Sequence, residues 1–98
     1  MKDKLNFYIN GQWVESDSKE RIEIINPANE ELIGHVTSGT KEDINKAVSA
    51  ASDAFQTYQF SSKEDRIEIL KNIITEYENR YDDLVQVITE EMGAPTWL

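Results

Sequence analysis

Apolar and polar positions alternate at the start of this chain, which is the pattern of short, half-buried β-strands. The stretch FYINGQWVES, residues 7–16, alternates on both sides of Asn10-Gly11. An Asn-Gly pair tolerates the positive φ angles that a type I′ turn requires. The opening stretch therefore predicts a β-hairpin.

A second pair of strands is predicted further along. Ile22, Ile24 and Ile25 form a β-branched run that ends at Asn26-Pro27, because proline cannot donate to a strand ladder. Residues 32–37 provide the returning strand. We thus expect all the strands to lie within residues 5–37.

The rest of the chain changes to apolar positions spaced by three and four residues, which predicts amphipathic helices. Three such stretches, joined by very short links, predict helices over residues 41–58, 62–79 and 80–92. Their apolar stripes consist of Ile44, Ala47, Val48, Ala51, Phe55 and Tyr58, then Ile67, Leu70, Ile73, Ile74 and Tyr77, then Tyr81, Leu84, Val85, Ile88 and Met92. The predicted fold class is an α+β segment, with two short antiparallel strand pairs followed by three helices.

Each predicted helix begins at a residue that can cap it, with an acidic residue three positions later. These pairs are Thr40 with Asp43, Ser61 with Glu64, and Asn79 with Asp82. Gly93 stands where a C-cap glycine ends the third helix, and Pro95 prevents its continuation.

Composition narrows the class of protein. The chain has 98 residues, 39% hydrophobic and 30% charged, which suits one globular unit. Its net charge of −9 argues against nucleic acid and anionic membranes as partners. The start of the chain, residues 1–4, leads into a strand and not into an apolar signal region, so we expect a cytoplasmic protein. The aromatic residues fall on strand faces and helical stripes, which predicts that they pack in a core.

Motifs for chemistry are scarce. The four glycines do not form a G-x-G-x-x-G or P-loop pattern, and there is no cysteine. His35 is the only histidine, is predicted to face solvent or a sheet rim, and has no partner nearby in sequence. Glu91 is different, because it borders the stripe made by Ile88 and Met92. A carboxylate so placed needs a backbone amide, a cation or a bound ion as its partner.

Five stretches, in order and spacing, resemble the start of the aldehyde dehydrogenase superfamily. They are FYINGQWVES, IEIINPANEELIGHV, EDINKAVSAASDAFQTY, SSKEDRIEILKNI and EEMGAP. The resemblance implies that residues 1–98 form the N-terminal flank of an NAD(P)-binding domain in a Rossmann-like α/β fold. The catalytic and oligomerisation parts of such an enzyme would then be absent from these residues.

The resemblance also implies an activity for the whole protein. Members of the family use NAD or NADP to oxidise an aldehyde to a carboxylic acid through a cysteine thiohemiacetal, and they form homodimers or homotetramers. The resemblance places the catalytic residues downstream of this segment, and the chain has no cysteine, so we expect it to hold no catalytic residue and to be inactive alone. Without a glycine-rich turn, we expect no cofactor-binding residue either. Its expected partner is the remainder of its own chain.

A monovalent cation site, for Na or K, is the one functional feature that the resemblance implies for these residues. The matching positions are the backbone carbonyls of Ile24 and Ile25 and the side chain of Glu91. The sequence departs from the family pattern at nearby positions, which leaves the subfamily undefined. The departures are Asn29-Glu30 in place of Thr-Gly, Ala94 in place of lysine, and Tyr58 in place of tryptophan.

Two interpretations remain open from the sequence. Trp97 and Leu98 end the chain on large apolar residues, which favours a segment of a longer enzyme that would expose an apolar face when isolated. The alternative is a natural short, non-catalytic binding module whose helices form a small core and which pairs with itself or with a dehydrogenase subunit. An accidental likeness is a third reading, disfavoured by the order of the segments.

Overall fold

The computed structural model describes residues 3–98. Its first element is a hairpin of β1 (Phe7–Ile9) and β2 (Gln12–Val14), paired antiparallel with Tyr8 opposite Trp13. Asn10 and Gly11 have φ angles of 53° and 75°, as the type I′ prediction requires. The Tyr8 and Trp13 rings lie 5.2 Å apart, which adds a cross-strand aromatic contact.

The second strand pair joins β3 (Arg21–Ile25) to β4 (Leu32–Thr37), again antiparallel. The register shifts between Ile24 and Ile25, so the ladder contains a bulge at this end. The chain before β1 runs along the other edge of β4, where Lys4 forms a parallel bridge with Val36. The two predicted strand pairs are therefore confirmed, with residues 3–5 as an added edge.

The turn between β3 and β4 is built from asparagine side chains. Asn26 Oδ1 accepts a hydrogen bond from the Ala28 amide at 2.9 Å, and Asn29 Oδ1 accepts one from the Glu31 amide at 3.0 Å. Glu30 between them adopts φ 62°, in the left-handed region that favours glycine. This turn thus places a glutamate where the family pattern has glycine.

We expect Glu30→Gly to tighten this turn. Removing the side chain relieves about 1–2 kcal/mol of left-handed strain, offset by about 0.5–1 kcal/mol of glycine entropy. The Asn26 amide, which donates to the Glu31 carbonyl at 2.9 Å, should then exchange its hydrogen roughly two- to fivefold more slowly. Glu20→Gly is the control, because it loses the same charge at a position without positive φ. Unchanged or faster exchange in Glu30→Gly would contradict the strain argument.

Three helices follow: α1 (Lys41–Tyr58), α2 (Lys63–Asn79) and α3 (Tyr81–Met92). The capping box of Thr40 with Asp43 is confirmed at α1, and Gly93 ends α3 with φ 72°. The two other predicted caps are wrong. At α2 the box is formed by Ser62 with Asp65.

Local contacts explain why Ser61 and Asn79 do not cap α2 and α3. The Ser61 amide still donates to the Tyr58 carbonyl at the end of α1, and the Ser61 hydroxyl accepts a hydrogen bond from the Arg66 guanidinium at 3.4 Å. Asn79 cannot cap α3, because it is still the last residue of α2. Arg80 alone joins the two helices, and no side chain caps α3 there.

A hydrophobic core is absent from the described residues 3–98, where no apolar side chain is buried. The stripes of the helices are open to solvent, with Ile44 63% and Leu70 59% exposed. The chain measures 48 × 36 × 15 Å, and its radius of gyration is 17.2 Å. A compact chain of this length has a radius of about 13 Å.

The prediction that the aromatic residues pack in a core is therefore wrong for residues 3–98 alone. A thickness of 15 Å accommodates a single layer of structure in most places, whereas a core needs two packed layers. The expectation of an exposed apolar face agrees with the structure. A binding module with its own small core does not.

Candidate functional site

The C-terminus of α3 contacts the turn after β3. A Cβ atom placed on Gly93 would lie 3.1 Å from the Ala28 Cβ and 3.3 Å from the Pro27 Cγ. Gly93 also needs its left-handed conformation, in which its amide donates to the Thr89 carbonyl at 3.0 Å. Glycine is therefore required here both by backbone conformation and by the close approach of the turn.

This contact brings together the two segments that hold the predicted cation ligands. Ile24 and Ile25 end β3 directly before the turn, and Glu91 lies in the last turn of α3, two residues before Gly93. The Glu91 side chain is exposed. Backbone carbonyls and a carboxylate are hard oxygen donors, which suit an alkali cation, and the bulge at Ile24/Ile25 interrupts regular pairing of the backbone there. The cation site remains a prediction.

Asp43 is only 8% exposed, and its carboxylate accepts hydrogen bonds from both the loop after β2 and the N-cap of α1. Its Oδ2 accepts hydrogen bonds from the Ser16 hydroxyl, the Thr40 amide at 2.9 Å and the Thr40 hydroxyl at 3.0 Å. The Ser16 bond, followed by the Thr40 amide bond, lowers the pKa of Asp43 below its usual 3.8. Asp43 thereby fastens the loop after β2 to the start of α1.

Acid should weaken this connection. Because the folded-state pKa of Asp43 is depressed, its stabilisation is present above pH 3.8 and is lost as pH falls through the lowered pKa. Ser16→Ala removes the main cause, so acid inactivation of an enzyme containing this segment should begin at a slightly higher pH. Ser18→Ala is the control, since the Ser18 hydroxyl accepts a hydrogen bond from the Glu20 amide at 3.2 Å and lies outside the Asp43 contacts described above. An equal shift in both variants would contradict this role for Ser16.

His35 has a partner that sequence spacing did not reveal. Its Nδ1 lies 3.0 Å from Asp3 Oδ1, and its backbone amide donates to the same oxygen at 2.9 Å. These bonds to His35 lower the pKa of Asp3. The imidazole is partly exposed at the edge of β4, where Asp3 and the Lys4 bridge hold the preceding chain against the strand. Its role here is structural.

Two open apolar grooves run along α2 and α3. One, of about 570 Å³, is lined chiefly by Ile69, Ile73, Tyr77, Leu84 and Val87. The other, of about 540 Å³, includes Tyr81, Ile88, Met92, Trp97 and Leu98. Exposed apolar side chains line much of both grooves, so the grooves are suited to contact with another layer of protein.

Residues 3–98 contain no group of three or more His, Cys, Asp or Glu side chains that could hold a metal ion. Within the same residues, no helix combines the length and the apolarity needed to cross a membrane. The geometry defines a thin layer with side-chain caps at the starts of α1 and α2, whose apolar side is open.

Comparison with known families supports the interpretation that these residues are one part of a larger fold. The model of the aldehyde dehydrogenase family matches residues 13–98, and the chain belongs to that family. A protein of Staphylococcus aureus (strain USA300), named as an aldehyde dehydrogenase, is 54% identical over 95 residues. That match covers 97% of this chain and 20% of the relative, so the chain spans about a fifth of the relatives' length.

Solved structures give the same result. The aldehyde dehydrogenase of Bartonella henselae matches with a TM-score of 0.94 and 36% identity, over 98% of this chain and 20% of that one. Aldehyde dehydrogenase C of Pseudomonas syringae, a mutant complexed with NAD+ and octanal, matches with a TM-score of 0.90 and 38% identity, over 94% and 19%. The predicted resemblance to the N-terminal part of this family is thus confirmed.

Proposed function

We propose that this chain is the N-terminal scaffold segment of an NAD(P)-dependent aldehyde dehydrogenase. The whole enzyme oxidises an aldehyde to a carboxylic acid through a thiohemiacetal on a cysteine that lies outside these residues. The single observation that carries the proposal is an apolar layer without a core, in a chain that matches a fifth of the family's length. The segment supports the cofactor domain and contributes no catalytic group.

We also propose a cofactor and an oligomeric state for the whole enzyme. NAD or NADP is the cofactor, in line with neighbours solved in complex with NAD+, among them a betaine aldehyde dehydrogenase mutant of Staphylococcus aureus with a TM-score of 0.80. The enzyme forms a homodimer or homotetramer in the cytoplasm. The alternative, a short non-catalytic binding module, loses support because the helices enclose no core.

A chimera tests the proposal. The stretch of the Staphylococcus aureus (strain USA300) relative that matches this chain is replaced by residues 1–98, and aldehyde-dependent NADH or NADPH formation is measured. We expect activity comparable with that of the unaltered relative. A soluble but inactive chimera, beside an active parent, would overturn the proposal.

The cation site is proposed at Ile24, Ile25 and Glu91. Removing the one charged ligand by Glu91→Gln should weaken activation or stabilisation of the chimera by K+ by about tenfold or more. The measurement is a K+ titration of activity and thermal midpoint at constant ionic strength. Glu68→Gln, on the exposed surface of α2, serves as the charge-matched control. Equal K+ responses in both variants would exclude Glu91 as a ligand.

A further inference from the structure

The exposed surface of this chain is large for its mass. It amounts to 8183 Å², whereas a compact monomer of 11.3 kDa exposes about 5,700 Å². The surplus of about 2,500 Å² exceeds the roughly 800 Å² that each partner buries in a standard interface. If the partner buried as much, the total of about 5,000 Å² would be in the range of permanent complexes, whose interfaces resemble a divided hydrophobic core.

Part of the exposed apolar surface lies on α2 and α3. At 100° per residue, the apolar positions of α2 span about 160° of the helix, wider than one ordinary buried stripe. Leu70 and Ile74 are 59% and 58% exposed, and Met92 of α3 is 69% exposed. We call the surface formed by Leu70, Ile74, Tyr77, Leu84, Ile88 and Met92 the α2–α3 apolar face.

Several elements of the segment are specified by local interactions. The type I′ turn, the two capping boxes and the Gly93 contact all join residues within or between elements of this chain. The resulting shape agrees with the same segment inside a whole enzyme, with a TM-score of 0.94. The turn and the helix caps are therefore specified within this chain, which removes part of the ordering cost of association.

Two partners could cover the α2–α3 apolar face: a second copy of this chain, or the remainder of an aldehyde dehydrogenase. A second copy would bring another net charge of −9 against the first, which opposes close self-association. The family relatives, by contrast, are about five times longer than this chain, so four fifths of their length is available to cover it. We propose that the α2–α3 apolar face binds, as a separate polypeptide, an aldehyde dehydrogenase chain that lacks the matching first fifth. The inference rests on the proposed function.

Co-expression tests this directly. The 98-residue chain is produced with the Staphylococcus aureus (strain USA300) relative deleted for its matching stretch, and with the intact relative in parallel. We expect one-to-one co-purification with the deleted form, together with restored aldehyde-dependent NADH formation. The intact relative should bind at least tenfold less, because its own segment already occupies the site.

A matched pair of substitutions on α2 tests whether the α2–α3 apolar face is the binding surface. Ile74→Asp places a charge on the α2–α3 apolar face and should reduce binding by about tenfold or more. Thr75→Asp adds the same charge on the neighbouring, outward side of α2 and should leave binding within about twofold. Equal loss in both variants would overturn the assignment of this face.

Other outcomes are equally decisive. Equal binding to intact and deleted relatives would indicate unspecific apolar adhesion, and self-dimers without binding would indicate a second copy as occupant. Either result overturns the inference. If the separate chains fail to bind while the covalent chimera is active, the inference fails and the proposed function stands. An inactive chimera, by contrast, overturns the proposed function itself.

Discussion

The isolated 98-residue chain should bind a hydrophobic dye strongly and unfold without a cooperative calorimetric transition. Cooperative unfolding depends on a shared core, and residues 3–98 bury no apolar side chain. Local helices and the hairpin should persist in part, because their caps and turn do not depend on a core. Circular dichroism during heating should then show a gradual loss of helix.

The chimera is the control for this experiment. With the same residues covered by the rest of the enzyme, dye binding per molecule should fall several-fold and a sharp transition should return. A monomeric isolated chain with little dye binding and a sharp transition would show that it folds by itself. It would also favour the short binding module.

Substitution of Gly93 should have the largest effect of any single residue. Gly93→Ala forces a side chain into the left-handed region, at about 1–2 kcal/mol, and presses it against Ala28 and Pro27. Overpacking of this kind adds about 1–3 kcal/mol. We expect a clearly lower thermal midpoint of the chimera, together with weaker K+ binding if the cation site lies beside this contact.

Gly11→Ala provides the matched control. Gly11 has φ 75°, close to the 72° of Gly93, but nothing lies within 4 Å of the Cβ it would gain. Its cost should therefore be the conformational part alone. The difference between the two midpoints measures the close approach of α3 to the turn. Equal losses would mean that this packing contributes nothing.

The sequence predicted those features whose cause is local. Asn10-Gly11 specifies its own turn, and Thr40 with Asp43 specifies its own cap. A local capping signal predicted the wrong residue where two adjacent serines could both act as the N-cap of α2. Ser61 and Ser62 both have an acidic residue three positions later, and only the structure distinguishes them.

Features that join distant residues could not be predicted. Asp3 meets His35 across 32 positions, and Ser16 meets Asp43 across 27. No periodicity connects such positions, because pairing of strands and packing of loops set them. The prediction that the aromatic residues are buried in a core was wrong for a different reason. An apolar stripe such as that of α2 predicts that this face of the helix will be buried. It does not indicate whether the residues that bury the face belong to the same chain.

The 15 Å thickness of this layer has a consequence for biosynthesis. In a relative whose first 95 residues make up 20% of its length, roughly 380 residues follow, which takes about 20–80 s at typical rates of synthesis. During that time the hairpin and helices can form at the ribosome, while their apolar sides still face water. A segment with the net charge of this chain, −9, would repel its own copies during that interval, which opposes contact between their apolar sides.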